Sequence, residues 1–88
     1  MQIKIYAIRD NRTESFNIPT FAKSDSEMVR MIQISIMDGE SMLAKFPKDY
    51  DLYFMGTYDN ETGTMETTPP QHIMSLLQIR ENLEKQNG

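Results

Sequence analysis

At 88 residues, with no cysteine and a formal net charge of −4, the chain has room for one domain and excludes disulfide staples and thiolate metal sites. A chain of this length buries only about 60–65% of its unfolded surface, so its core is small and a second copy would add stability. No apolar run approaches the roughly 20 residues of a membrane-spanning helix, and Met1-Gln2-Ile3-Lys4 does not open a signal peptide, because no apolar segment follows it.

Residues 1–8 alternate, with Met1, Ile3, Ile5 and Ala7 on one side and Gln2, Lys4, Tyr6 and Ile8 on the other. That period predicts a strand, the first set being its apolar face. The stretch 9–15 is polar, and Asp10-Asn11 signals a turn. Phe16-Asn17-Ile18 reads as a short returning strand that Pro19 ends, since proline lacks the N–H a ladder needs. Ser24-Asp25-Ser26-Glu27 is a capping box: Ser24 accepts from the third helical amide, and Glu27 reaches back to the cap's own amide. Asp25 and Glu27 also suit the positive end of the helix dipole. The helix is predicted to run to about Met37, where Asp38-Gly39 ends it. Met28, Val29, Ile32 and Ile36 form its apolar stripe, with Met31 beside it. Ile32 to Ile36 also alternates, which leaves a strand as the competing reading; the capping box favours the helix.

Met42, Leu43 and Phe46 are spaced for a short helical turn that Pro47 stops. Residues 51–58 predict a strand, with Leu52, Phe54 and Gly56 facing one way and Tyr53, Met55 and Thr57 the other. Residues 59–63 make a hairpin turn in which Gly63 takes the left-handed position. Thr64-Met65-Glu66 begins the returning strand, and Thr67-Thr68-Pro69-Pro70 reads as a stiff connector. A last helix is predicted from about Gln71 to Glu84, striped by Ile73, Leu76, Leu77, Arg80 and Leu83, with fraying after it. The fold class is therefore α+β: one domain over residues 1–88, a small antiparallel sheet of three to four strands with two helices on one face, in β(β)αββα order. Ile3, Ile5, Leu52 and Phe54 are expected on the covered face, and Lys4, Tyr6, Tyr53 and Met55 on the open one.

No motif carries a reaction. Asp59, Glu61 and Gly63 match only a fragment of a calcium loop, whose closing glutamate is missing. Asp49 and Asp51 flank Tyr50, but a chain this small hardly builds a pocket around an acid pair. His72 is the single histidine, so a zinc site lacks ligands. The scattered glycines make no phosphate-cradling loop. The expectation is no enzyme, no cofactor, no metal and no small-molecule substrate.

The run from Phe46 to Gly63, with Tyr50, Tyr53, Phe54 and Tyr58 inside it, is the most distinctive part of the chain. Together with Lys4-Ile5-Tyr6-Ala7-Ile8-Arg9-Asp10, Phe16, Pro19, Phe21, Ser24-Asp25, Arg30 and Pro69-Pro70, it resembles the small nonstructural protein of gokushoviruses, microviruses with circular single-stranded DNA genomes. The resemblance implies a phage DNA-binding protein in the cytoplasm of the infected bacterial host. It implies a role in the switch from duplex replication to single-stranded genome synthesis and packaging.

The residues offer their own surface for that role. Bases stack on aromatic rings while phosphates pair with cations, and Tyr6 and Tyr53 beside Lys4 and Arg9 have that chemistry. Arg12 extends it from the turn, and Arg30 is either a phosphate contact or a solvent-facing helix residue. The acidic total opposes DNA binding. However, residues 1–50 hold seven basic and seven acidic side chains, while residues 51–88 hold two basic and six acidic ones and so carry all of the −4. A nucleic-acid surface therefore belongs to the N-terminal half. The expected partners are single-stranded DNA or the viral replication complex, and a second copy in a homodimer. In the competing reading, Tyr6, Tyr53 and Met55 pack against a second copy or the last helix, and the protein is a dimeric adaptor contacting the replication initiator or capsid.

Overall fold

The N-terminal alternation becomes strand β1 (Gln2–Asp10), which turns tightly into β2 (Ser15–Phe16). In the computed structural model, which describes residues 1–87, the chain then rejoins β1 as β3 (Thr20–Ala22). Pro19 explains why the return comes in two pieces. It interrupts the ladder, so β2 pairs only with Arg9 and Asp10, and β3 with Lys4, Ile5 and Tyr6. The single returning strand expected over 16–18 is thus two, and the second escaped the sequence reading because three residues show no period.

Helix α1 (Asp25–Asp38) starts at the Ser24 cap as expected, but Glu27 reaches back to the Lys23 amide and not to that of Ser24 itself. The Glu27 amide donates to the Ser24 hydroxyl at 3.1 Å, the Lys23 amide donates to the Glu27 carboxylate at 3.3 Å, and Gly39 closes the helix at φ 78°. A single turn, α2 (Met42–Lys45), is capped by Ser41 and stopped by a 3-10 turn over Pro47–Asp49. Strand β4 (Tyr50–Asp59) then crosses the middle of the sheet, and β5 (Thr64–Ser75) forms its far edge in the order β2-β1-β4-β5. Their turn holds Gly63 at φ 74°. There Asp59 accepts from the Glu61 amide, which holds its carboxyl below the usual carboxylate range.

The last segment differs from expectation. Strand β5 runs through Pro69-Pro70, and helix α3 begins only at Leu76, running to Asn87. The proline pair sits in an irregular stretch, since Gln71 pairs with Phe54 and Thr67 with Gly56, leaving Thr68-Pro69-Pro70 out of register opposite Met55. A proline is tolerated at such a bulge on an edge strand because no ladder bond is lost. The apolar stripe assigned to a helix from Gln71 instead divides, Ile73 staying on the strand, Leu76 entering the core and Leu83 packing against it, while the fully buried Ile79 lay outside the expected stripe.

The helices cover one sheet face, as expected, but β1 presents the opposite set of side chains. Tyr6, Leu52, Leu76 and Ile79 are completely buried with Met28, Ile32, Ile36, Tyr50 and Ala22 around them. Ile3 and Ile5 face the other way. The cause is a bulge in β4. Ile5 opposes Gly56, but Tyr6 opposes Phe54, so Met55 is the extra residue. Directly opposed residues share a face. Phe54 and Leu52 therefore join Tyr6 and Ile8 under the helices, while Gly56 and Tyr58 join Ile5 and Ile3 on the open side.

Gly56 permits this waist. It sits at φ 144°, and a Cβ placed on it would lie 2.2 Å from the Glu66 carbonyl oxygen. The Gly56→Ala variant should lose on the order of 2–4 kcal/mol, combining backbone strain with a clash against the β5 main chain. Urea denaturation measures it. Ser24→Ala, which removes only the cap, should cost about 1 kcal/mol in the same assay.

Candidate nucleic-acid interface

The bulge has a consequence for the open face. Tyr53 and Tyr58 are five residues apart, so an unbroken strand would send them to opposite sides. With Met55 extruded, Tyr53 opposes Ala7 and Tyr58 opposes Ile3, and both tyrosines share the uncovered side. The rings continue across strands. The Tyr53 ring stands edge-on to Phe16 of β2 at 5.3 Å and to His72 of β5 at 5.3 Å. Phe21 of β3 meets Tyr58 at 5.9 Å. The Arg9 guanidinium lies 6.0 Å from the centre of the Phe16 ring.

Polar bonds tie the two ends of the first row together. Arg9 Nη1 donates to Asn11 Oδ1, Asn11 Nδ2 donates to Asp51 Oδ2 at 2.6 Å, and His72 Nε2 lies 2.8 Å from Asp51 Oδ1. The result is a row of one guanidinium and three flat rings, Arg9, Phe16, Tyr53 and His72, spanning β2, β1, β4 and β5. Asn11 and Asp51 hold its flanks. Phe16 is exposed and Tyr53 half-exposed, so ring faces and edges are open to a ligand. The arrangement supplies stacking surface and the Arg9 guanidinium, which is bonded to the neutral Asn11 side chain and, among the described residues, forms no ion pair. Asp51 contributes the opposing charge.

The six residues expected to bind nucleic acid do not assemble as one site. Arg9 and Tyr53 share the open face. Arg12 lies at the adjoining hairpin tip, 78% exposed, with its guanidinium 4.0 Å from Asp49. Lys4 and Tyr6 point to the helix side, which corrects their expected placement. Lys4 Nζ lies 3.6 Å from Asp25 Oδ1, and the Tyr6 hydroxyl donates to the same oxygen. Arg30 stands exposed on α1, across the sheet from Tyr53. Phe16, His72, Phe21 and Tyr58 were missed. His72 was hidden by the expected helix from Gln71; the hairpin register carried on unbroken would set Pro70 opposite Tyr53, and the irregularity at Thr68-Pro69-Pro70 brings His72 there instead.

Tyr6 is a clamp in the core. Its ring is fully buried and stands edge-on to Phe54 at 6.0 Å, while its hydroxyl holds the first residue of α1. Burial, followed by the hydrogen bond to the Asp25 carboxylate, pushes its phenol far above the usual tyrosine range. Tyr50 is shifted upward too, by burial and then by Asp10 and Asp49.

The match to a family of known origin makes this a small bacteriophage protein. The family model described as Phage ORF5 protein matches residues 3–79, and the chain belongs to that family. No curated protein and no solved structure matches the chain. Among the described residues no helix is long and apolar enough to cross a membrane.

The Tyr6 clamp has a signed pH dependence. A phenol whose folded pKa lies above its unfolded value stabilises the fold fully below the unfolded value, about 10, and loses that contribution as pH rises above it. Tyr6→Phe should lower stability at pH 7 by about 1–2 kcal/mol, because Asp25 loses a donor. It should also flatten the fall in stability between about pH 10 and 12. Denaturation midpoints across that range test both parts.

Proposed function

We propose that this phage protein is a non-enzymatic replication-control factor of the gokushovirus type. It binds single-stranded DNA through its open sheet face and acts in the cytoplasm of the infected host. It biases synthesis from duplex replication toward single-stranded genomes for packaging. The observation that carries the reading is the row Arg9, Phe16, Tyr53, His72. It joins aromatic rings to a cation on an uncovered sheet, the combination by which single strands are held without sequence preference. Arg12 at the hairpin tip extends the row toward a phosphate backbone.

Charge sets the strength of this interaction. With Asp51 inside the row and a net −4 overall, few phosphates are neutralised, so the affinity is weak and falls with salt only modestly. Weak binding suits a factor that acts where single strands are locally concentrated at a replication complex. A protein adaptor that contacts the replication initiator or capsid is the second reading. It draws on the same face, because Phe16, Phe21 and Met65 are exposed apolar side chains there.

Fluorescence anisotropy of a labelled oligodeoxythymidylate at two salt concentrations separates these readings. Tyr53→Ala should weaken binding by about 1–3 kcal/mol with the salt slope unchanged. Replacing Arg9 and Arg12 by Ala should flatten the slope by at most about 0.7 per lost contact. Tyr6→Phe should leave binding intact. If the wild-type protein shows no binding at low salt, the adaptor reading replaces this one.

A further inference from the structure

The outer face of α1 is unlike that of a solvated helix. Ile34 and Met37 are 62% and 66% exposed, and Met31 is exposed beside them. Arg30 and Asp38 are also exposed and, among the described residues, neither belongs to an ion pair. Asp38 occupies the last turn of the helix, which holds no basic residue. An acid there faces the negative end of the helix dipole and is unfavourable until a cation is supplied.

These residues are arranged symmetrically about Ile34. Arg30 lies four residues before it and Asp38 four after, each about 6 Å along the axis and within about 40° of the Ile34 direction. Met31 lies three before and Met37 three after. We propose that α1 is the interface of a homodimer, two α1 helices packing antiparallel across a two-fold axis at Ile34. An isologous contact brings residue i of one copy to the level of residue 68 − i of the other. Ile34 then meets Ile34 of the second copy. Each Arg30 reaches Asp38 of the opposite chain, one ionic layer on either side of the apolar centre. Met31 and Met37 cover the flanks, where their flexible thioethers adapt to the opposing helix. The Arg30–Asp38 complementarity is what selects a second copy as the occupant: reversing the helix aligns the two unpaired charges that lie four residues either side of Ile34 with each other. Glu27, farther along the stripe, falls at the level of the partner's Ser41 and meets no like charge. The cation also arrives where the dipole of the partner's helix needs one.

This inference does not rest on DNA binding, and it reassigns Arg30 from phosphate contact to dimer contact. Sedimentation equilibrium on the full chain tests it, with circular dichroism to verify that each variant is folded. The wild type should approach twice the 10.3 kDa chain mass at micromolar concentration. Arg30→Glu and Asp38→Arg should each weaken the dimer at least about tenfold, and the combined swap should restore it. Ile34→Glu should give monomers. A wild-type monomer throughout the micromolar range overturns the proposal. So does failure of the double variant to recover, or a dimer unaffected by Ile34→Glu. A dimer broken instead by Phe16→Ala or Tyr53→Ala also overturns it, since the open sheet face would then be the contact. Anisotropy with the same variants keeps the two proposals apart: if Arg30→Glu leaves the dimer intact and weakens DNA binding, Arg30 belongs to a DNA surface.

Discussion

The extrusion of Met55 from the β4 ladder sets the two faces of this protein. It lets Phe54 and Leu52 meet Tyr6 and Ile8 under the helices while Tyr53 and Tyr58 share the opposite side. Without it, one half of β4 would turn its apolar side chains to solvent, because a one-residue shift in a strand inverts every side chain beyond it. The bulge in turn depends on Gly56, whose missing side chain lets the β5 backbone approach at Glu66. On the other strand, Thr68-Pro69-Pro70 absorbs the mismatch. Core, open face and edge strand are thus three results of one irregularity.

The core then depends on a second tie. Tyr6 is fully buried and has a polar end, and that end is satisfied by Asp25 at the start of α1. A buried hydroxyl needs such a partner, and the partner here also belongs to the capped first turn. The same contact therefore satisfies the phenol and fixes where the helix lands on the sheet. Lys4, one strand position pair away on the same side, balances the Asp25 charge. Residues with the chemistry of a DNA site are used here for folding. The DNA role proposed for the protein falls to the side chains of the other face.

Signals encoded within a few residues were legible in the sequence. The cap at Ser24, the stop at Gly39, the turn at Ser41, and the left-handed Gly63 each involve near neighbours and formed as read, although Glu27 bonds the Lys23 amide in place of that of Ser24. What was not legible depended on long-range register. The parity of Ile3, Ile5 and Tyr6 relative to the helices follows from the Met55 bulge, which local alternation cannot announce. The continuation of β5 through Pro69-Pro70 depends on an edge position and an irregular ladder, whereas proline by itself signals a break. Half of the candidate site was affected in the same way. Arg9 and Tyr53 were placed correctly on the open side, while Tyr6 and Lys4 were inverted, and Phe16 and His72 appear beside Tyr53 only once the strands are paired.

The central claim is that the uncovered sheet face, organised by that bulge, is the surface that meets single-stranded DNA. The most direct measurement is a titration of isotope-labelled protein with an oligodeoxythymidylate at low salt, followed through amide and aromatic-ring chemical shifts. Progressive shifts concentrated at Ala7, Arg9, Phe16, Tyr53, Tyr58 and His72, with α1 and α3 unmoved, are the predicted result. Shifts confined to the helices, or no shifts at all, would contradict it.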